Sequence, residues 1–447
     1  MVQVLRHVTF AKMFAAQVVA LLGTGLLTIA LGLLAYDLAG GQAGTVLGTA
    51  LAIKMVAYVT LAPTASALIG NLPRNYVLIA MDAIRAAVTL VLPFIDAVWQ
   101  IYVCIFLLQA ASATFTPAYQ ALIPDILPDE EDYTNALSLS RLAYDLENLI
   151  SPALAGVLLL FVSFHGLFVG TALGFIVSAF LITRSVLPRR PADVKQRSFV
   201  DRLTRGARIY LATPRLRGLL CLNLAAAAGG AMVIVNTVVI VRDSYLASES
   251  DVATAMAAFG LGSMLAALTL PHLLDRIRDR SVMIVAASIM AFILLLIGLL
   301  SIPALIMSWP VLLLVWFLLG LGYALVLTPS GRLLRRSAHD EDRPAVFTAQ
   351  FALSHACWLL TYPLAGWIGH ALGMSSAMLL LGAIALIGAV AAWLVWPADD
   401  PDVVEHVHDD LPADHPHLRN AVRKGKAWRH RHVFVIDDEH RAWPTQG

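Results

Sequence analysis

Between Met13 and Trp396 the chain runs apolar again and again, often for about 20 residues or more, the length that spans the hydrocarbon core of a bilayer. In lipid every backbone N–H and C=O must be satisfied internally, which leaves helices and closed barrels as spanning structures. These runs are continuous, not alternating segments of about ten residues, so the pattern specifies helices. With 59% hydrophobic and only 14% charged residues, the chain is far from the roughly one-quarter charge of a soluble domain. The fold class read from this is an all-α polytopic membrane protein with twelve transmembrane helices. The spans fall at about 13–36, 44–69, 76–96, 100–122, 135–160 and 164–186, then 217–241, 252–273, 282–303, 309–331, 345–371 and 375–396.

The basic N-terminus MVQVLRHVTFAKMF precedes no short apolar region with a small-residue cleavage site, so the first span reads as a retained helix. Cys104, Cys221 and Cys357 all sit in apolar segments without a CxxC pair, which suggests neither a disulfide framework nor a thiolate metal site. One long connection, from Pro188 to about Arg215, joins spans six and seven. Ten Lys/Arg lie between Arg184 and Arg217, against Asp193 and Asp201. Excess Lys/Arg marks the cytoplasmic side, and an even span count then puts both termini there, in a bacterial inner membrane. The expected domains are a six-helix bundle at 1–187, a basic cytoplasmic linker at 188–216, a second bundle at 217–396 and a cytoplasmic His/Asp-rich tail at 397–447.

The halves repeat. TPAYQALIPDILPDEEDYTNALSLSRLAYDLENLISPALAG begins at Thr116, and TPSGRLLRRSAHDEDRPAVFTAQFALSHACWLLTYPLAG begins at Thr328. Both run from a helix end through a charged hairpin into a helix that closes on a Pro-Ala-Gly pattern. LIGNLPRNYVLIAMD (68–82) likewise matches LLDRIRDRSVMIVAA (273–287). Two six-helix halves in parallel repeat are a hallmark of secondary transporters. At these residues the chain resembles the major facilitator superfamily over about residues 10 to 396, and within it the bacterial efflux branch of siderophore and drug exporters.

That family's acidic-basic signature between spans two and three is degenerate here: Gly70 and Asn71 replace the acid and first base, and Arg74 remains. The second copy is fuller, with Asp275, Arg276 and Arg280. The resemblance implies that these residues, with the Asp82/Arg85 pair, form cytoplasmic gate contacts. The family's helix-five export element appears in part as Ser151-Pro152-Ala153-Leu154-Ala155-Gly156, which singles out Pro152 and Gly156.

Charges inside the spans cost about 2.5–3.5 kcal/mol each on insertion scales, so they face protein or water and mark function or ion pairs. Six fall in the first half: Lys54, Asp82, Arg85, Arg141, Asp145 and Glu147. The second half offers mainly His355, Gln350, Asn223 and Asn236. Arg141, Asp145, Asn148 and Pro152 share one helical stripe about 60° wide. Arg141/Asp145 and Asp82/Arg85 are spaced as helical ion pairs, which reads as structure on the cytoplasmic side. Lys54 and Glu147 have no partner at helical spacing and sit near mid-depth. They form either a structural pair between helices two and five or a titratable site. Desolvation favours the neutral form of such groups, so a proton can leave and return near neutral pH. Glu147 is then the proton carrier and Asp145 the next choice, with Lys54 part of the same proton-coupling site. His355, Gln350 and Asn148 are candidate cavity residues.

From Pro397 the composition changes to a tail with seven of the thirteen histidines. They form the units His406/His408, His415/His417 and His430/His432, with His440 alone. In an extended chain residues i and i+2 point the same way, so each unit can present two imidazoles to one ion. Imidazole suits Zn, Cu, Fe and Ni. Permeases of the superfamily associated with nickel and cobalt resistance resemble this arrangement of twelve spans and a His-rich tail. No Walker A run, HExxH or GxSxG is present, so the chain reads as a transporter and not an enzyme.

The reading is a monomeric, proton-coupled exporter working by alternating access, with the lipid bilayer, protons and a small solute or metal ion as partners and no nucleic acid. It requires no cofactor, though a divalent metal can occupy the tail. The cargo is a divalent transition-metal cation of the Ni/Co type, or alternatively an amphipathic drug or siderophore. A rival from another class is a metal sensor anchored by a non-transporting body.

Overall fold

Apolar length becomes helix throughout the body. The computed structural model describes residues 2–39, 43–69, 72–188, 198–241, 245–246, 249–300, 308–408, 415–418, 421–424 and 427–444. The first half contains α1 (Val8–Ala39), α2 (Ala43–Ile69), α3 (Arg74–Val91), α4 (Val98–Ile126), α5 (Glu130–Leu158) and α6 (Phe164–Thr183). A short amphipathic α7 (Phe199–Ala212) lies in the connection, capped by the Ser198 hydroxyl on the Asp201 amide. The second half contains α8 (Pro214–Val239), α9 (Glu249–Leu274), α10 (Asp279–Leu300), α11 (Trp309–Leu327), a one-turn continuation α12 (Ser330–Arg336), α13 (Arg343–Leu372) and α14 (Met374–Val395).

Nine of the described helices, or helix runs, are long and apolar enough to cross a membrane by themselves. The remaining membrane helices α2, α5 and α13 are as long, at 27, 29 and 30 residues, and carry Lys54, Arg141 with Glu147, and His355. They meet the other half and so have protein, not lipid, to face.

The repeat seen in the sequence is a repeat of packing. In the first half α1 packs on α6, α2 on α4 and α3 on α6; in the second, α8 packs on α14, α9 on α11 and α10 on α14. The halves meet through α2 against α13 and α5 against α9. One copy of the hairpin repeat leaves α4 continuous through Pro117 and Pro124, whereas Pro329 interrupts the other between α11 and α12. At the hairpin, Asp129 caps α5 by accepting from the Glu131 and Asp132 amides at 2.9 and 3.1 Å. Three acids in the first turn match the positive end of the helix.

Beyond the all-α body, the tail folds. Strands β1 (Val403–His408), β2 (Val422–Lys424) and β3 (Ala427–Val433) form an antiparallel sheet in the order β1-β3-β2. The register sets His406 opposite His430. Phe434 and Ile436, just after β3, join the apolar core of the second half, which fixes the sheet to the body.

Candidate functional site

Glu147 lies on α5, half-buried, at the level where α1 comes closest. A Cβ on Gly25 would collide with the Ser151 hydroxyl and stand 3.5 Å from the Glu147 stem, so this approach of α1 to α5 requires glycine. Lys54, half-buried on α2, has its ammonium 5.5 Å from the Tyr58 ring centre. Tyr58 in turn meets the His355 ring edge-on at 4.7 Å and the Phe351 ring at 4.9 Å, both on α13. The His355 Nδ1 atom is 2.7 Å from the Phe351 carbonyl oxygen. The Lys54 charge acts on both Glu147 and His355. Among the described residues no ion pair within 4 Å joins Lys54 to Glu147. The carboxyl therefore keeps its oxygens for another proton or cation.

Asp82 and Arg85 are a buried ion pair, and the Ser178 hydroxyl donates to the second Asp82 oxygen at 2.7 Å. The Arg85 guanidinium stacks over Phe115 and Phe175 at 4.2 and 4.6 Å. All of these partners belong to α3, α4 and α6. The pair thus braces the inside of the first half, and it does not clamp one half to the other as expected.

Arg141 does cross between halves. Its Nε and Nη2 donate to the Ser263 hydroxyl of α9 at 2.9 and 2.7 Å, and the guanidinium lies over the Tyr323 ring of α11. The side chains of Asp145, Asn148, Pro152 and Gly156 lie outside the described residues. The half-buried Gln350 accepts through its carbonyl from Tyr210 of α7 and from Asn223 of α8, tying α7 and α8 to α13.

The contacts that close the halves gather on the face that carries the tail. Arg332 of α12 pairs with Glu130 at 2.6 Å and donates to Thr134 at 3.1 Å, both on α5. Arg335 donates to the Pro128 carbonyl. Arg343 meets Asp125 of α4 at 3.0 Å, and Arg74 holds the other oxygen of that carboxylate. A Cβ on Gly331 would stand 2.6 Å from the Tyr133 hydroxyl, so α12 lies directly on α5. Among the described residues Asp275 and Arg276 make no ion pair, and Arg280 donates to the Trp396 and Trp393 carbonyls at the end of α14. The residue of this hairpin that reaches the contacts between halves is Asp279, 3.5 Å from Arg332. The contacts between the halves on this face come from Asp125, Glu130, Arg332, Arg335 and Arg343, whose pairing partners lie about 200 residues apart in the chain.

In the tail, the histidine units converge on one place. His406, His417, His430, His432 and His440 present ligand atoms that all lie within 4.8 Å of one another. The Nε2 of His406 is 3.1 Å from that of His408 and 3.0 Å from those of His430 and His440. One imidazole nitrogen carries a single proton or a single lone pair, so it can hydrogen-bond only one of three such neighbours. A shared cation satisfies all of them. With metal–imidazole bonds of about 2.0–2.1 Å, two ligands at a right angle stand about 3.0 Å apart. The Nε2 atoms of His417 and His432 are buried without a hydrogen-bond partner, as ligand atoms awaiting a cation would be.

The other ring nitrogens are fixed. His440 Nδ1 pairs with Asp437 at 3.0 Å and His417 Nδ1 with Glu439 at 3.0 Å. His406 and His432 Nδ1 lie 3.2 and 2.6 Å from the carbonyls of Val404 and Val433. Such outer contacts orient imidazoles toward a metal. Burial, and then the neighbouring imidazoles, push His406, His417 and His430 down to about 4, so they are neutral ligands at pH 7. Burial would raise the Asp437 carboxyl, but hydrogen bonds from His339 and His440 hold it well below the usual range.

The i,i+2 unit His430/His432 lies wholly in the cluster and His406 meets His408 at 3.1 Å, but the set is not made of separate units. His415 stands apart, 3.8 Å from Glu439, while His440 belongs at the centre. His440 lacks the i+2 spacing that drew attention to the others. Only the chain reversal after Ile436 brings it in.

Comparison with known proteins gives three results. A sequence model described as the Major Facilitator Superfamily matches residues 13–239 and again 219–436. Macrolide efflux protein A of Streptococcus pyogenes is 24% identical over 185 residues, which cover 40% of this chain and 45% of that protein. An uncharacterized MFS-type transporter of Bacillus subtilis, YfiS, is 25% identical over 124 residues, 28% of this chain and 30% of that one. The matched regions thus span less than half of these relatives. Among solved structures, the human organic anion transporter MFSD10 has a TM-score of 0.71 at 14% identity, covering 87% of this chain and 99% of that one. A bacterial homologue of the iron transporter ferroportin, in an outward-facing state, has a TM-score of 0.68 at 14% identity, covering 87% and 98%.

Proposed function

Because the chain belongs to the Major Facilitator Superfamily, a family of transporters and not of enzymes, we propose that it is a proton-coupled exporter of a divalent transition-metal cation. The observation that carries the cargo class is the convergence of the tail imidazoles on one point. A domain shaped for such a cation ties the activity of the body to it. The basic connection and the tail then face the cytoplasm, following the Lys/Arg excess. The halves rock about the Lys54–Glu147 level, and the carboxyl of Glu147 takes a proton when cargo has left. Ion pairing does not compete for it, because no charged partner lies within 4 Å among the described residues.

Proteoliposomes loaded with Ni²⁺ and given an imposed ΔpH test this reading. Nickel movement should follow the proton gradient, and Glu147→Gln should reduce it by at least about tenfold, the loss of roughly 1.4 kcal/mol or more of coupling. Undiminished exchange by that variant would remove Glu147 from the mechanism.

A second reading has an amphipathic organic cargo. The macrolide efflux relative and the aromatic surroundings of Lys54 (Tyr58, Phe351) favour it. Dye or macrolide efflux without nickel movement in the same vesicles would establish it in place of the first.

A further inference from the structure

We propose that the tail is a metal-set latch on the gate: a divalent transition-metal cation held by the imidazole cluster fixes the tail in its docked position, and the docked tail favours the conformation closed on its own face. This rests on the alternating-access reading above and goes beyond it by assigning the tail a regulatory role.

Three observations lead there. First, the ligands come from separate pieces of chain: His406 from β1, His430 and His432 from β3, His417 from the turn at 416–418 and His440 from the segment after Ile436. A cation bound to them joins all four pieces. The three strands are short, and a cation shared by their imidazoles adds to the packing of Phe434 and Ile436 in holding the tail in place, because metal binding and folding are coupled. The set is also crowded with imidazoles, which suits a resident ion better than one in transit.

Second, the folded tail docks through charges that the fold itself positions. Asp402, just before β1, receives Arg215 of α8 at 3.0 Å and Arg336 of α12 at 2.8 Å. Asp438 receives Arg205 of α7 at 2.5 Å. The ligand His440 reaches the body through one carboxylate: Asp437 takes its Nδ1 at 3.0 Å and lies 3.4 Å from His339, in the turn between α12 and α13.

Third, the segment 330–343 has two sides. Arg336 and His339 hold the tail, while Arg332, Arg335 and Arg343 hold α4 and α5 of the other half. Asp342 adds to this by gripping Arg205 through both carboxylate oxygens at 2.5 and 2.7 Å. A tail fixed on one side of this segment pre-arranges the arginines on its other side. Opening the gate then has to overcome both sets of contacts.

The experiment uses the full chain in detergent with Cys104, Cys221 and Cys357 replaced by Ala and a reporter Leu137→Cys, at the position where α12 covers α5. Ni²⁺ alone is the probe, and the readout is the rate of maleimide labelling. Nickel should slow labelling by about tenfold, within the ordinary range of allosteric couplings. His430→Ala with His440→Ala should remove both nickel binding and the slowing. Arg336→Gln removes the body side of the dock and also the 3.7 Å contact of Arg336 with Asp279, which Asp402→Asn leaves in place. Arg336→Gln should bind nickel within about twofold of the parent yet show little slowing, and Asp402→Asn should match it.

The latch is overturned if nickel leaves the labelling rate of the parent unchanged, or if Arg336→Gln and Asp402→Asn are slowed as fully as the parent. No transport is measured, so nickel flux without protection would sink the latch alone. Protection without nickel flux would sink the cargo assignment alone.

Discussion

The two halves share a packing plan but not an interior. In the first, one apolar cluster surrounds Leu34, Ile101 and Phe168, and a second surrounds Phe10, Leu78 and Tyr133. Along α3, Ala86 belongs to one cluster and Leu78 to the other, and Asp82 and Arg85 stand between them. The second half has a continuous cluster running from Leu219 through Met290, Trp316 and Leu381 to Phe434 of the tail. An interior divided by a polar level can change its protonation and hydration at that level. A continuous apolar interior moves as one block, because close-packed side chains resist local rearrangement.

The largest expected effect breaks the polar level. Asp82→Leu leaves Arg85 buried without its partner and should cost about 3–5 kcal/mol in thermal unfolding in detergent, with Asp82→Leu plus Arg85→Leu recovering most of it. In the second half, Met290→Ala removes a fully buried side chain from a continuous core. About 2 kcal/mol is expected, at the low end for such changes, since lipid tails are as apolar as the protein interior. If the second half proved the more sensitive to single changes, the contrast between a divided and a continuous interior would fail.

The tail gives a smaller effect with a defined sign. His406, His417 and His430 bind protons only near 4, so these three ligands should take little from nickel affinity between pH 7 and about 5. At pH 4 each is half protonated, and the three together should weaken binding about eightfold, or about 1.2 kcal/mol. Calorimetric titration at pH 7, 5 and 4 checks this. A loss already complete by pH 6 would mean that the imidazoles titrate as exposed ones. Without metal, His406, His417 and His430 take up protons near 6.5 in the unfolded tail and only near 4 in the folded one. The stability of the metal-free tail therefore falls as the pH drops between those values.

The smallest effect lies at the gate. A double-mutant cycle on Arg332 and Glu130, whose carboxylate is largely exposed, should give a coupling of about 0.5–1 kcal/mol in the labelling assay. That is enough to bias a two-state equilibrium and too little to hold it alone.

The membrane class, the span count and the repeat were legible because each rests on local pattern. Apolar length dictates a helix in lipid wherever the segment lies, and a repeated sequence folds into a repeated packing. The intramembrane charges were legible for the same reason, since a charge in an apolar run stands out against its neighbours. Their partners were not. Asp82 and Arg85 are adjacent on a helix, and spacing found them. Arg141 meets Ser263 and Arg332 meets Glu130 across more than 120 residues, and no local rule reaches that far. The family signature drew attention to Asp275, Arg276 and Arg280, whereas the residue of that hairpin that reaches the contacts between halves is Asp279, 3.5 Å from Arg332.

What the amino-acid order determined alone is therefore the kind of molecule: a polytopic helical body in two related halves, with a histidine-rich extension. Hydrophobic length and residue type act over one or two turns, and those distances are written in the chain. Only the tertiary structure decided which charges meet, which glycines let helices touch, and that imidazoles from four segments share one point. Such contacts depend on how whole helices and strands are placed, to within an ångström or so, and coordination and ion pairing fall away steeply beyond that distance.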